Sequence, residues 1–278
     1  MSVRLSATQA QRLRELGGGG ELFEREFAAA AERDEAFRAA ARELASAGRR
    51  ALAELRAGPR SPRLRLLEAD LRAALTGAGV VEMVTPAIIS ADALHRMGIE
   101  AGHPLAEQVF RLEGDRCLRP MLAPGLYTLL RRLARIWSQP FALFEIGSCW
   151  RRDTKGSQHL NEFTMLNVVE LGTPLEGRRA RLDELAALVM AAAGIAGYEF
   201  DATDSEVYGE TLDILVGGLE VCSTAVGPLP LDDAWGITDP WVGLGFGLER
   251  LLVAREGYPN VERAGRSLSY VDGVRLNI

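Results

Sequence analysis

The 278-residue chain has 32 lysine and arginine residues against 38 acidic ones, a net charge of −6, and 47% hydrophobic residues. These values are ordinary for a globular protein, and the negative balance excludes a wholesale electrostatic coat for nucleic acid while leaving local patches open. No apolar run reaches the roughly 18 residues of a membrane span, so we expect no membrane partner.

The cysteines and the N-terminus indicate a cellular location. The three cysteines are odd in number and lack CxxC spacing, so we expect neither disulfides nor a zinc site. Met1 is followed by a polar, helix-prone segment rather than a signal peptide. A reducing cytoplasm is therefore the expected compartment.

The N-terminal part of the chain is predicted to be helical. Residues 6–16 form a short predicted helix that ends at four glycines, 17–20. The Ala/Glu/Arg-rich residues 21–58 have apolar positions at helical spacing and predict one or two helices. After two prolines, leucines 64, 67, 71 and 75 mark a further amphipathic helix that closes at Gly77 and Gly79.

A local basic segment lies across these helices. Between residues 49 and 72 there are seven arginines against three acidic residues. The ordinary interpretation is a solvated helical face, and the sharper one is a surface that contacts a phosphate backbone. The candidates for that contact are Arg49, Arg50, Arg56, Arg60, Arg63 and Arg65.

Beyond residue 79 the pattern changes to short apolar runs separated by turn-forming residues or polar helices. Adjacent runs at short spacing, without a regular βαβ rhythm, predict an antiparallel β-sheet flanked by helices, an α+β fold. Residues 118–137 and 178–194 are predicted as two amphipathic helices of this part of the chain.

The stretch "CWRRDTKGSQHLNEFTMLN", residues 149–167, is predicted as a strand, a loop and a returning strand. A guanidinium such as that of Arg151 can grip phosphate oxygens at two points, and the ring of Phe163 could stack on a base. Asp153, two residues after Arg151, could accept from an exocyclic amine. Taken alone, the ordinary alternative is an arginine-rich surface hairpin. Arg152, next along the strand, should point to the opposite face and act structurally.

Two further segments have a distinctive pattern. In "GLGFGLERLL", residues 243–252, alternate glycines allow a strand to approach a ligand, and Arg250 lies near the start of a helix that favours anions. The alternative is a glycine-rich strand packed on a helix, with Arg250 in an ordinary salt bridge. In "GVVEMVTPAII", residues 79–89, Pro86 interrupts a strand and favours an edge or an interface.

In this order, the three segments resemble motifs 1, 2 and 3 of class II aminoacyl-tRNA synthetases. Longer blocks within residues 62–278, among them "FEIGSCWRRDTKGSQHLNEFTMLN" and "SLSYVDGVRLNI", are similar to the pyrrolysyl-tRNA synthetase family. The resemblance implies a class II catalytic domain over residues 62–278, with residues 1–61 as a helical, tRNA-contacting N-terminal extension like that of the bacterial catalytic subunit.

The resemblance also implies an activity. Pyrrolysine would react with ATP to give an aminoacyl-adenylate and pyrophosphate, and the acyl group would pass to the cognate amber-suppressor tRNA. Such catalysis is mostly positioning and charge neutralisation. The implied cofactor is Mg²⁺, and the implied partners are ATP, pyrrolysine, tRNA, a second copy in a homodimer and, where present, a separate small tRNA-binding protein.

Residue by residue, the resemblance implies a nucleotide site and an amino-acid site. Arg151 and Arg250 are the implied catalytic residues, and ATP binding falls to Arg151, Asp153, His159, Phe163, Glu220, Ser223 and Arg250. Glu220 and Ser223 match the metal positions, since Mg²⁺ prefers oxygen ligands. The amino-acid pocket maps onto Ala123, Leu126, Tyr127, Leu130, Asn167, Val169, Tyr208 and Trp241.

Two positions need separate comment, and two alternative functions are open. Asp153 stands where the family has glutamate, one methylene longer, which weakens or shifts the adenine contact. Val169 occupies a variable position, so the size of the pocket is open. The alternatives are a class II paralogue with another amino acid or a protein acceptor, and a catalytically inactive tRNA-binding subunit.

Overall fold

The computed structural model describes residues 2–152 and 160–278. The predicted site residues Asp153 and His159 therefore lie outside the described residues. Within that part of the chain the α-helices are α1 (Ala7–Glu15), α2 (Ala30–Ala57), α3 (Arg63–Gly77), α4 (Ala91–His95), α5 (Pro104–Gln108), α6 (Ala123–Leu133), α7 (Arg178–Ala192) and α8 (Leu248–Glu256).

The strands, over the same described residues, are β1 (Val81–Glu82), β2 (Ile88–Ser90), β3 (Arg116–Leu118), β4 (Phe141–Trp150), β5 (Glu162–Leu171), β6 (Glu199–Ser205), β7 (Gly209–Val216), β8 (Leu219–Gly227), β9 (Trp241–Gly247), β10 (Tyr270–Val271) and β11 (Val274–Arg275). Seven of them form the main sheet, in the order β1-β4-β5-β9-β8-β7-β6. The pairs β2-β3 and β10-β11 form two small separate sheets.

The predicted antiparallel sheet needs one correction. Every neighbouring pair of the main sheet is antiparallel except β1 with β4, which run parallel in register Val81 to Leu143. β1 ends four residues before Pro86, which has no N–H to donate to a ladder. The chain then leaves the main sheet and forms β2, which pairs with β3 in a separate small sheet. The edge strand β1 is therefore not joined to its neighbour β4 by a hairpin.

The alternation of side chains along the strands divides the core into two layers. On β5, Leu166 and Val168 face the back of the main sheet and pack with the buried faces of α3, α7 and α8. Val169 faces the front and packs with α6 and with Trp235 and Trp241. The back layer supports the sheet, and the front layer forms the walls of a cleft.

The N-terminal helices pack against the end of the chain. The predicted helix 6–16 is confirmed as α1, which begins with a capping box in which Ser6 and Gln9 satisfy each other's backbone N–H groups. Residues 30–57 form one continuous helix. Buried Arg263 donates to the carbonyls of Arg14 and Glu15 at 2.6 and 2.7 Å, and so ties the end of α1 to the C-terminal segment.

A buried polar network joins the segment around Pro86 to β3 and β4. Arg119 Nη1 donates to Glu145 Oε1 at 2.7 Å and to the Thr85 hydroxyl at 3.0 Å, and both charged residues are almost fully buried. Glu145 also accepts from the backbone N–H and the hydroxyl of Thr85. Gly147 allows this arrangement, because a Cβ there would collide with the Arg119 guanidinium.

None of the helices in residues 2–152 and 160–278 is both long enough and apolar enough to cross a membrane.

Candidate active site

A cleft of about 660 Å³ opens on the front of the main sheet. Its floor is formed by β5, β8 and β9, one wall by α6, and part of its cover by residues 205–208, which connect β6 to β7. The volume suits a small-molecule site. The cleft has a charged end beside β4 and α8 and an apolar end beside α6.

The strand register explains why the floor is open. On β9, Gly243, Gly245 and Gly247 lie opposite Val169, Asn167 and Met165 of β5, and Gly245 also lies opposite Ser223 of β8. Glycine places no side chain on the front face, so a ligand can lie against the backbone of β9 between its neighbours. The alternate glycines thus form the groove that the sequence pattern predicts.

Arg151 and Phe163 form the charged end where β4 and β5 meet. Phe163 pairs with Cys149 across the ladder, and the Arg151 guanidinium lies 5.4 Å from the centre of the Phe163 ring. Arg151 Nε donates to the carbonyl of Pro120 at 2.9 Å, which holds the guanidinium at the cleft. A cation held beside an aromatic face can contact the phosphate and the base of one nucleotide.

Arg152, two residues after the end of β4, takes the structural role that the sequence predicts. Its Nη2 donates to the carbonyl of Val109 at 2.8 Å, and its guanidinium lies 5.9 Å from the ring centre of Phe110. Arg152 does not line the cleft, whereas Arg151 does.

Arg250 and Glu220 form the second charged group, at the start of α8. Arg250 Nη1 lies 2.9 Å from Glu220 Oε1 and donates to the Glu220 carbonyl at 3.2 Å. Ser223 faces the same cleft and lies opposite Asp213 of β7. Burial raises the pKa of Asp213, and the charge of Glu220 adds to the rise.

The apolar end is lined by one face of α6 and by aromatic side chains. Tyr127 packs on Trp235 with ring centres 5.3 Å apart and meets Trp241 edge-on at 5.8 Å. Tyr208, in the connection between β6 and β7, also contacts Trp241 edge-on, at 6.4 Å. Burial is the largest cause of the raised pKa of both tyrosines, so their hydroxyls are neutral at physiological pH.

Three buried polar atoms at this end lack a hydrogen bond of normal geometry among the described residues. They are Asn167 Oδ1 and the adjacent Tyr127 hydroxyl and Asp232 Oδ1, whose side chains interact with each other. Buried polar atoms in native proteins are nearly always paired, with protein, water or ligand. Asn167 lines the cleft on the floor strand β5, so its amide is placed to meet a polar group of a bound molecule.

Glu249 links the second and third motif segments below the cleft. It is 3% exposed and accepts from both the backbone N–H, at 2.9 Å, and the hydroxyl of Thr164, the residue after Phe163. Arg266 donates to the same hydroxyl at 2.8 Å. Burial raises the pKa of Glu249 to about 7, against hydrogen bonds from Thr164 that lower it.

The structure brings all the described candidates for the nucleotide and amino-acid sites to this one cleft. They are Ala123, Leu126, Tyr127, Leu130, Arg151, Phe163, Asn167, Val169, Tyr208, Glu220, Ser223, Trp241 and Arg250. Asp153 and His159 belong to the segment outside the described residues. Within the described residues, no group of three or more His, Cys, Asp or Glu side chains could hold a metal ion by itself.

The basic segment lies apart from the cleft and divides in two. Arg63 is paired with Glu256 at 3.2 Å and Asp272 at 3.4 Å, and Arg65 is paired with Glu68. Arg49, Arg50 and Arg56 lie on α2 and Arg60 lies in the turn after it, all exposed. The exposed group on and after α2 remains the candidate contact surface, while Arg63 joins α3 to the C-terminal segment.

Sequence reasoning missed several residues that shape the cleft. Asp232 accepts from the indole N–H of Trp241, and Gly227 leaves the space that this indole occupies. Arg119 and Glu145 support the backbone next to Arg151. No local motif marks these residues, because each acts on a partner from another part of the chain. Asp232 stands next to Asp233 in the run "LDDAW", so no sequence pattern singles it out.

Comparison with known proteins gives a family model that matches part of the chain and solved structures that match its full length. The family model described as the Phenylalanyl tRNA synthetase beta chain CLM domain matches residues 51–225. A crystal structure of pyrrolysyl-tRNA synthetase from Desulfitobacterium hafniense is 53% identical, with a TM-score of 0.94 over 100% of both chains. A second structure of a pyrrolysyl tRNA synthetase from that organism is also 53% identical, with a TM-score of 0.93 over 100% of this chain and 99% of the other.

These matches confirm the predicted fold. The mixed main sheet flanked by helices, together with the N-terminal helices, is that of a class II synthetase catalytic domain.

Proposed function

This chain belongs to the pyrrolysyl-tRNA synthetase family, and we propose that it is an aminoacyl-tRNA ligase that attaches pyrrolysine to its cognate tRNA. ATP and the amino acid would form an aminoacyl-adenylate with release of pyrophosphate, and transfer to tRNA would release AMP. The full-length similarity at 53% identity carries this proposal. The gathering of the described candidate residues in one cleft agrees with it.

The charged end of the cleft is proposed to bind ATP. Arg151, held by the Pro120 carbonyl, contacts the α-phosphate and the attacking carboxylate, where negative charge accumulates during transfer. Arg250 contacts the terminal phosphates, since helix N-termini favour anions. Phe163 stacks on the adenine. Asp153 and His159 complete the proposed ATP-binding set from the segment outside the described residues.

Glu220 and Ser223 are the proposed ligands of Mg²⁺. Their oxygen atoms suit that ion, and the adjacent Asp213 has a buried Oδ1 that lacks a hydrogen bond of normal geometry within the described residues. The ion would supply charge neutralisation for the triphosphate. Glu220 pairs with Arg250 at 2.9 Å, so binding of ATP with the ion would replace this internal ion pair by contacts to phosphate and metal.

The apolar end is proposed to bind pyrrolysine. The α6 face (Ala123, Leu126, Tyr127, Leu130), Val169 and Trp241 enclose the pyrroline ring, and Asn167 donates to the carbonyl of the amide that joins the ring to lysine. Free lysine would leave its ammonium in these apolar surroundings without a partner, which disfavours it without an editing site. Tyr208 covers the pocket and bonds the pyrroline nitrogen.

The remaining partners follow from the same membership. The helical extension, residues 1–61, is proposed to contact tRNA through the exposed arginines on and after α2, and a separate small tRNA-binding protein could add to that contact. A homodimer is proposed through the motif 1 segment, where Val81, Val84 and Ile88 are exposed and apolar. A cytoplasmic location is proposed with these partners. Neither the paralogue nor the inactive subunit is favoured by any feature of the cleft.

Amino-acid-dependent exchange of pyrophosphate into ATP tests the proposed reaction. The wild type should exchange with pyrrolysine and not with lysine, and Arg151→Ala should reduce exchange by roughly 100-fold or more, as expected for the loss of a preorganised charge contact. Exchange with a standard amino acid alone would refute pyrrolysine as the substrate. Absence of exchange with any amino acid would favour the inactive subunit.

The tRNA contact is tested with a matched pair of double variants. Arg49→Ala with Arg56→Ala should weaken aminoacylation and flatten its salt dependence, while adenylate formation is unchanged. Arg111→Ala with Arg116→Ala removes two other exposed arginines and should change neither. If the first double variant also loses adenylate formation, α2 has a structural role instead.

A further inference from the structure

Asp232 has an unusual position for a carboxylate. It is 1% exposed and lies in the short helical turn Pro230–Trp235, within the connection between β8 and β9. Buried acidic side chains are rare unless they are paired, so a partner is expected. No cationic side chain among the described residues bonds to it. Its Oδ2 instead accepts two N–H groups, from the backbone of Leu229 and from the indole of Trp241, each at 2.7 Å.

The indole that Asp232 holds lies against two glycines of the sheet. Trp241 is the first residue of β9 and lies opposite Gly227, the last residue of β8. A Cβ on Gly227 would collide with the indole, and a Cβ on Gly243 would lie 3.1 Å from its far edge. The ring therefore lies across two glycine positions, and the bond to Asp232 fixes its N–H edge.

The orientation of Trp241 in turn sets the apolar end of the cleft. The rings of Tyr127 and Tyr208 both meet Trp241 edge-on, one from α6 and the other from the cover. Edge-to-face pairs are sensitive to ring angle, so a rotated indole would displace both tyrosines. After burial as the main cause, the charge of Asp232 adds to the raised pKa of both tyrosines, and its side chain also interacts directly with the Tyr127 hydroxyl.

We propose that Asp232 is a positioning residue for amino-acid selection: it acts through Trp241 to set the shape of the pocket that receives the substrate side chain. The proposal deepens the proposed function and rests on it for the identity of the substrate. The competing explanation is that Asp232 only caps the turn through Leu229. If that explanation holds, the effect of changing Asp232 does not depend on Trp241.

A double-mutant cycle separates the two explanations. Asp232→Ala, Trp241→Phe and the double variant are compared with the wild type by ATP–pyrophosphate exchange, with KM measured for pyrrolysine and for ATP. Losing a buried hydrogen bond to a charged acceptor should raise KM for pyrrolysine on the order of 10-fold and leave KM for ATP within about twofold. Phenylalanine has no N–H to donate, so Asp232→Ala should add less than about threefold in the Trp241→Phe background.

Asp232→Asn is the conservative control. Its amide oxygen can still accept both N–H groups, so KM for pyrrolysine should stay within about threefold of the wild type. If Asp232→Ala does not fold, Asp232→Ser replaces it in the cycle, because a hydroxyl near the backbone can cap Leu229 but is too short to reach the indole. Asp232→Ser should then raise KM for pyrrolysine but not KM for ATP, and its effect should likewise become small in the Trp241→Phe background.

The proposal is overturned by any of three results. These are an equal rise in KM for ATP and pyrrolysine, an effect of Asp232→Ala that is undiminished in the Trp241→Phe background, and an asparagine variant as impaired as the alanine one. If the wild type activates an amino acid other than pyrrolysine, the proposed function fails. The cycle run with that amino acid then still decides the role of Asp232.

Discussion

Replacing Glu145 by alanine should destabilise the protein by about 3–5 kcal/mol, the range measured when one partner of a buried ion pair is removed. Arg119 would keep its charge in a site where it is only 5% exposed, without the carboxylate 2.7 Å away that balances it. The backbone N–H of Thr85 would also lose its acceptor at 3.1 Å. Since domains are stable by only about 5–15 kcal/mol, this is a large fraction of the total.

The same substitution should also affect the active site, through the backbone carbonyls of two adjacent residues. The carbonyl of Arg119 accepts from the backbone of Trp150, and that of Pro120 accepts from Arg151 Nε at 2.9 Å. A displaced Arg119 would therefore loosen the support of Arg151. We expect the kcat of adenylate formation to fall more than KM for pyrrolysine rises, because Arg151 acts on the transferring phosphate.

Urea denaturation at fixed protein concentration and neutral pH measures the stability, and pyrophosphate exchange measures the activity. Glu145→Gln is the control, since its carbonyl oxygen can still accept from Arg119 and Thr85. This variant should lose clearly less stability than Glu145→Ala. A cost for Glu145→Ala below about 1 kcal/mol, or equal costs for the two variants, would refute a stabilising role of the buried pair.

Three further outcomes are expected. Asn167→Ala should raise KM for pyrrolysine by roughly 10- to 100-fold while KM for ATP is unchanged, because it removes a buried hydrogen bond to the substrate amide. Burial raises the pKa of Glu249 to about 7 from its usual 4.5. Its contribution of about 3 kcal/mol to the free energy of unfolding is therefore present below pH 4.5 and lost as pH rises to about 7. Glu249→Gln should remove this pH dependence of stability in denaturation experiments. Gly227→Ala should raise KM for pyrrolysine, measured by exchange, because its Cβ collides with the indole of Trp241.

Each of these outcomes has its own check. Equal losses of ATP and pyrrolysine affinity in Asn167→Ala would contradict a contact to the amino acid. A wild-type stability that does not fall between pH 5 and 7, or a slope retained in Glu249→Gln, would contradict the assignment of the titrating group. Gly177→Ala is the control for Gly227→Ala, because a Cβ at Gly177 meets no atom within 4 Å, so equal effects of the two would contradict the steric argument.

The sequence by itself determined many of the elements, the class of fold and the family. Helical spacing of leucines located α3, the alternate glycines 243, 245 and 247 located the open floor strand, and the motif order identified the class II fold. These are short-range patterns, in which the spacing of apolar residues and the conformational preferences of single residues decide the local structure. The sequence also separated Arg151 from Arg152, although both lie beyond the end of β4 and different backbone carbonyls hold them.

Only the tertiary structure decided which distant groups meet. Asp232 and Trp241 lie nine residues apart across a connection, and Arg119, just after β3, lies 26 residues from Glu145 on β4. The parallel pairing of β1 with β4 and the pairing of Arg63 with Asp272 likewise join segments that are distant in the sequence. Such contacts depend on strand register and on which polar groups become buried together. These are properties of the packed chain, and no local pattern of residues encodes them.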